Sequence, residues 1–283
     1  MKENNFPKYL SDFLAKYLPG QRNASRHTIA SYRDAFKLLL IFCDSKKSIK
    51  PEKIQVSDLS KELILHFLDW LEAKRKCSIS TRNQRLAVIH SFIHYVQKES
   101  PENLFELKKI LSIPNKKHPR TLVAYLTGQE VQTLLSQPDT STSEGFRNAI
   151  LLSVLYDTGS RVQELINIRV KDVRLSSPAV IRLHGKGNKI RQVPIMSKTS
   201  ENLNVYLETK KYHPGISKGD NYLFVNQRNK QLSRWGISYI LNKYAEKARD
   251  DDDFNVDFPV TPHVLRHSKA MHLLQSGVNL IYI

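Results

Sequence analysis

Arg161, Lys186, His263 and Arg266 are the side chains of this sequence best suited to work on a phosphodiester. They lie in three widely separated motifs: Thr158-Gly159-Ser160-Arg161-Val162-Gln163-Glu164-Leu165, Gly185-Lys186-Gly187-Asn188-Lys189 and His263-Val264-Leu265-Arg266-His267. Arg161 stands just past Gly159, with Ser160 between them, at an expected helix start. A guanidinium there can fork onto two phosphate oxygens, and the helix dipole adds positive potential. Glu164, one turn on, can hold that guanidinium in place. Lys186 stands between glycines at an expected hairpin tip, from which an ammonium can give a proton to a leaving oxygen. His263 and Arg266 are three apart at a helix start and share a face. The imidazole can exchange protons near neutral pH, and the arginine stabilises charge on non-bridging oxygens. His267 is adjacent, points elsewhere and reads as structural. Each motif alone has a plain alternative: a surface ion pair for Arg161 and Glu164, a solvated turn residue for Lys186.

The elements that must position these groups divide into two regions. Residues 1–111 read as helices only. Tyr9, Leu10, Phe13, Leu14, Tyr17 and Leu18 recur at helical spacing. A second helix is expected from about Ser25 to Phe42, a third after Ser60 and a fourth after Ser80, the last carrying Leu86, Ile89, Ile93 and Val96. A short fifth covers Leu104 to Leu111. Facing away from these stripes are Arg26, Arg33, Lys37, Arg82 and Arg85, which are expected to contact phosphates. Residues 112–121, with Pro114 and Pro119 among Lys116, Lys117 and Arg120, have a linker composition.

Residues 122–283 are mixed. Thr127 and Glu130 fit a capping box. An apolar helix from Ile150 to Tyr156 stops at Gly159, and a new one starts near Arg161. Ala179–Leu183 and Lys189–Ile195 read as strands joined through Gly187-Asn188. Leu203–Tyr212 is expected helical, Tyr222–Val225 a short strand and Trp235–Ala248 a helix. Asp250–Asp253 reads as an exposed loop. Thr261-Pro262 opens a last helix that Gly277 ends. The expected fold is mainly α with a small antiparallel β-sheet.

Charge narrows the partner. The chain has 283 residues and a net charge of +17. Residues 1–120 hold 23 basic and 12 acidic side chains, and residues 121–283 hold 21 and 15. Such an excess favours nucleic acid over a membrane surface or a merely solvated exterior. No apolar run approaches the roughly 20 residues of a membrane span, and no signal core opens the chain. Cys43 and Cys77 lack metal-ligand spacing and read as buried thiols of a reducing compartment. A cytoplasmic protein without metal or cofactor is expected.

Taken in order, the motifs resemble those of the tyrosine recombinase (phage integrase) family. The match lies in Thr158-Gly159-x-Arg161-x-x-Glu164-Leu165, in Gly185-Lys186-Gly187-x-Lys189-x-Arg191-x-Val193-Pro194 and in Thr261-Pro262-His263-x-Leu265-Arg266-His267. Thr81, Asn83, Arg85 and Leu86 extend it into the helical region. The resemblance implies a helical, SAM-like core-binding domain (1–111), a linker (112–121) and an α+β catalytic domain (122–283) that clamp double-stranded DNA from opposite faces. It implies that Arg161 and Arg266 hold the scissile phosphate, Lys186 acts as general acid toward the 5′-oxygen, His263 assists proton transfer and Glu164 supports Arg161. A tyrosine attacks, a 3′-phosphotyrosyl link forms, and a 5′-hydroxyl reverses it. That link conserves bond energy, so neither ATP nor metal is required.

In the family a Leu-Gly-His segment and then a tyrosine-bearing helix follow the His-x-x-Arg helix. Tyr282 is the only tyrosine after Arg266 and stands earlier than that nucleophile would. The expectation is a C-terminally truncated recombinase that does not cleave DNA and self-associates weakly, where the intact family member forms homo-oligomers on DNA. The rival reading is a non-catalytic, truncated integrase that occupies recombination sites. A type IB topoisomerase shares the chemistry, but its first domain fits less well.

Overall fold

A computed structural model of the chain describes residues 6–99, 103–117, 122–185, 187, 189–212 and 215–282. Lys186 and Asn188 of the expected hairpin lie outside these residues, as do 118–121 of the expected linker. The chain forms two compact units, Met1–Thr121 and Leu122–Ile283. No helix among the described residues is long and apolar enough to cross a membrane.

The first unit is helical. α1 (Phe6–Asp12) runs directly into a wider π-helical stretch, Phe13–Gln21. α2 (Arg26–Lys47), α3 (Lys61–Arg75), α4 (Ile79–Glu99) and α5 (Leu104–Leu111) follow. The hydroxyls of Ser25 and Ser60 accept the backbone N–H of Thr28 and Leu63 and set the starts of α2 and α3. α4 begins before the expected Ser80, because Ser78 Oγ takes the N–H of Thr81 at 3.2 Å. Phe13, Phe36 and Phe92 meet edge to face at the centre, with Phe92 5.3 Å from Phe13 and 5.0 Å from Phe36. Cys43 is buried there, whereas Cys77 is only half-buried.

The second unit wraps helices and a small sheet around its own core. α6 (Gly128–Ser136) opens on the Thr127–Glu130 capping box, and α7 (Ser143–Thr158) is the buried central helix. α8 (Val162–Asn167) leads into β1 (Val173–Arg174), β2 (Val180–His184) and β3 (Ile190–Pro194). α9 (Ser197–Thr209), α10 (Arg234–Ala248) and α11 (Pro262–Gln275) complete it. The strands pair antiparallel in the order β1-β2-β3, with Ile181 opposite Val193 and Leu183 opposite Arg191. β1 escapes the sequence reading because it is two residues long. Tyr222–Val225 is not a strand. Its ends pair with different neighbours, Tyr222 with Arg169 and Val225 with Gln231, so no ladder forms. Asp250–Asp253 is exposed, as expected.

Candidate active site

The C-terminal end of α7 creates the first half of the site. Gly159 takes a left-handed turn (φ 51°), a conformation that costs a side chain strain, and its N–H returns to Tyr156 O. The chain reverses, and Arg161 becomes the cap residue of α8. Its backbone N–H reaches Glu164 Oε2 at 2.9 Å and its Nη1 reaches Oε1 at 3.0 Å. The Arg161 side chain keeps about half of its surface in solvent, whereas Glu164 is 5% exposed.

Glu164 has a second arginine partner, Arg191, which the sequence reading does not place among the site residues. Arg191 on β3 sets Nη1 3.1 Å from Oε1 and Nη2 2.7 Å from Oε2. Strand alternation explains why. Residues directly opposite in an antiparallel pair share a face. Ile181 and Leu183 point into the core, so their partners Val193 and Arg191 point inward too. The available signal is therefore the inward row that Arg191 shares with Val193. Burial alone would raise the Glu164 pKa. The bonds from Arg191 and Arg161 outweigh it and lower the pKa to about 2.

Gly185 is needed here for a reason other than turn flexibility. A Cβ on it would stand 3.2 Å from Glu164 Oε1 and 3.6 Å from Arg191 Nη1. Its N–H closes the hairpin on Lys189 O at 2.7 Å. The bare backbone thus lies directly against the ion pair. Gly187 supplies the left-handed turn, with φ 73°. Lys186, between them in sequence, lies outside the described residues.

α11 supplies the second half. The Thr261 hydroxyl accepts Val264 N–H, Pro262 fills the first position, and His263 and Arg266 fall near the helix start. Arg266 Nη1 donates to the carbonyl of Gly159. Its pKa lies below the ordinary arginine value. Burial is the larger cause, and repulsion from Arg161 and Arg191 adds to it, with Glu164 opposing. His263 is exposed on the same turn. Ser268 locks α11 in place, accepting Leu126 N–H and donating to Val264 O, both at 2.8 Å. Further along, Tyr156 Oη meets His272 Nδ1 at 2.8 Å, tying α11 to α7.

Arg161, Arg191 and Arg266 therefore gather around one carboxylate and one carbonyl. Three positive charges against one negative leave an excess that suits an anion with several oxygens. Forked guanidiniums fixed before the anion arrives are the arrangement that stabilises charge developing in phosphoryl transfer.

The expected phosphate contacts of the helical unit fare unequally. Arg26 and Lys37 are exposed on α2, as is Arg33. Arg82 is not a surface residue but is 3% exposed, with Nη1 on Asn83 Oδ1 and Nε 3.7 Å from Glu72. It lies on the apolar stripe of Leu86, Ile89, Ile93 and Val96, and burial follows from that register. Arg85 is half-buried and donates to Ser31 O at 3.0 Å, joining α4 to α2. Residues 113–117, read as linker, rest on this bundle: Ile113 is buried, and Asn83 exchanges two bonds with the Lys116 backbone.

Two family models match the chain. The phage integrase family model covers residues 124–283, and the phage integrase N-terminal SAM-like domain model covers residues 11–100. The chain belongs to the phage integrase family. Within that family it is 38% identical to a Sinorhizobium fredii protein bearing the name integrase/recombinase y4rC, over 98% of this chain and 82% of that one. It is 36% identical to the tyrosine recombinase XerC of Herpetosiphon aurantiacus, over 96% of this chain and 83% of the relative. The integrase fold recurs in the XerH site-specific recombinase bound to its difH substrate. That likeness has a TM-score of 0.69 and 21% identity, over 95% of this chain and 74% of that one. It recurs again in the Tn1549 transposon integrase with transposon right end DNA (TM-score 0.70, 16% identity, 95% and 87% covered).

Proposed function

We propose that this protein is a site-specific DNA recombinase that works through a 3′-phosphotyrosyl intermediate. The observation carrying this reading is the arginine cluster: Arg161 and Arg266 converge beside a buried Glu164 that neutralises only part of their charge. Arg161 and Arg266 hold the non-bridging oxygens of the scissile phosphate. Lys186 protonates the departing 5′-oxygen, and His263 assists proton transfer. A tyrosine oxygen attacks phosphorus, the bond to the 5′-oxygen breaks, and a 5′-hydroxyl later reverses the step. The named activities of the relatives support double-stranded DNA as the polyanion, with Arg26, Arg33 and Lys37 contacting its backbone. The active assembly is a homo-oligomer on DNA.

The finer reading is that residues 1–283 hold the phosphate without cleaving it, as a DNA-binding protein at recombination sites would. Its support is the state of the tyrosines. The hydroxyls of Tyr156, Tyr206, Tyr212 and Tyr244 are engaged with His272, Leu223 O, Leu207 O and Asn148. Tyr125, Tyr239 and Tyr282 are exposed and are the tyrosines that this reading must exclude as nucleophiles. A nicked suicide substrate carrying the protein's own site tests both readings. Specific, salt-sensitive binding without a covalent adduct is expected. An adduct lost in Tyr282→Phe, Tyr239→Phe or Tyr125→Phe would refute the finer reading and keep the first. Absence of any duplex binding would refute both.

A further inference from the structure

The far end of α7 has a second concentration of positive charge. Sixteen helical residues place it about 24 Å from the Gly159 turn. There a cavity of about 1030 Å³ opens between the first turn of α7, the end of α9 and the Val225–Asn229 turn. Lys210 lines it. Its ammonium is shielded from solvent, and no group among the described residues accepts its protons. The nearest compensation is the Tyr206 ring, whose centroid is 5.6 Å away.

A buried ammonium without a hydrogen-bond acceptor is an unfavourable arrangement, and proteins usually pair such a group or neutralise it. The Lys210 pKa is pushed down to about 8, first by burial and then by Arg147. Besides the exposed Lys211, Arg147 is the other cation of the cavity. Its Nε and Nη2 donate to Asn148 Oδ1 and its Nη1 to Val225 O, so its geometry is fixed while its charge stays. Glu144 is the one carboxylate among the described residues that line the cavity. It stands 3.9 Å from Arg147 and already accepts from Gln227. The hydroxyls of Tyr206 and Tyr212 are bonded to backbone carbonyls, which leaves their rings as flat walls beside Phe146.

We propose that this cavity binds a small phosphomonoester attached to a flat apolar group, with Lys210 as its hydrogen-bond donor and Arg147 as a fixed second charge. Lys210 and Arg147, with Lys211 also lining the cavity, match a dianion better than a carboxylate. The three N–H bonds of an ammonium suit the three terminal oxygens of a phosphate monoester. A duplex backbone is the poorer fit, because the ammonium is recessed and a rigid double helix cannot follow it inward. The site is separate from the arginine cluster and does not depend on recombination.

Phenyl phosphate, inorganic phosphate and benzoate serve as probes, titrated by calorimetry into the full chain carrying Arg161→Ala and Arg266→Ala to silence the other anion site. Saturable binding of phenyl phosphate is expected, with inorganic phosphate weaker and benzoate weaker still. Lys210→Met should weaken it about tenfold or more. Binding unchanged in Lys210→Met, or no saturable binding, overturns the site. Benzoate as tight as phenyl phosphate overturns the ligand class, and displacement of the probe by a short duplex makes the cavity a DNA contact instead. A thermal melt keeps the variant interpretable. Lys210→Met should melt at or above the parent temperature, and phenyl phosphate should raise the melting temperature of the parent but not of the variant.

Discussion

Arg191 and Glu164, 27 positions apart in sequence, face each other as a two-bond fork at 3.1 and 2.7 Å. Because the same carboxylate holds Arg161 from the other side, the orientation of Arg161 is coupled to the β2–β3 hairpin. Arg191 is thus a positioning residue that joins the strand pair to the helix start.

Removing the carboxylate should cost more than removing the arginine. Glu164→Gln leaves three guanidiniums without a counter-charge, and because the Arg161 and Arg191 side chains keep 55% and 37% of their surface in solvent the loss should be about 1–3 kcal/mol. Arg191→Gln in the same chain should restore part of that loss, because it also removes a repelling charge. Urea midpoints of the two single variants and the double variant measure the coupling. Additive effects would mean that the fork contributes nothing beyond its separate parts.

Glu164 also fixes an acid limit. Its folded pKa of about 2 lies below the ordinary value of 4.5. The unfolded chain therefore binds this proton first as pH falls. Stability from this group is complete above about pH 4.5 and drains away toward pH 2. Denaturant titrations across that window should show a smaller pH slope in Glu164→Gln than in the parent. Equal slopes would place the acid sensitivity elsewhere.

Lys210 acts in the opposite pH range. Its folded pKa of about 8 lies below the ordinary value of 10.5. Between those values the unfolded chain holds a proton that the folded chain has released, so raising pH through this window favours the fold. The gain should disappear in Lys210→Met. A parent whose stability difference from that variant stays flat across the whole window would contradict the burial of the ammonium.

On DNA, Arg26→Ala, Arg33→Ala and Lys37→Ala should each reduce the steepness of the salt dependence, by about 0.9 in the log–log slope for each phosphate no longer neutralised. Arg82→Ala should behave differently. Its guanidinium is buried, so the variant should lower the melting temperature and leave the salt slope unchanged. Filter binding across a salt series, alongside thermal melts, separates the two effects. A slope change in Arg82→Ala with no loss of stability would return it to the DNA-facing set.

Much of this site is legible in the sequence because its parts are local. Arg161 and Glu164 lie within one turn, as do His263 and Arg266, and caps such as Ser25, Ser60, Thr127 and Thr261 are recognised from a few residues. Arg191 is harder, since its partner is supplied by tertiary packing and only the inward row of β3 hints at it. Arg82 shows how residue type misleads. An arginine suggests the surface, yet its register with Leu86 and Ile89 carries it into the core. Tyr222–Val225 has the composition of a strand, but a strand also needs a continuous neighbour, which no stretch of sequence displays by itself.

Arg266 is anchored on a carbonyl of the main chain, at Gly159. Substitution at position 159 cannot delete that acceptor; only a change in the path of the backbone can move it. The two halves of the site are therefore registered to the route of the turn more than to the identity of the side chains around it. Such a site tolerates drift among its neighbours, yet inserting or deleting one residue between Thr158 and Arg161 would displace both arginines together.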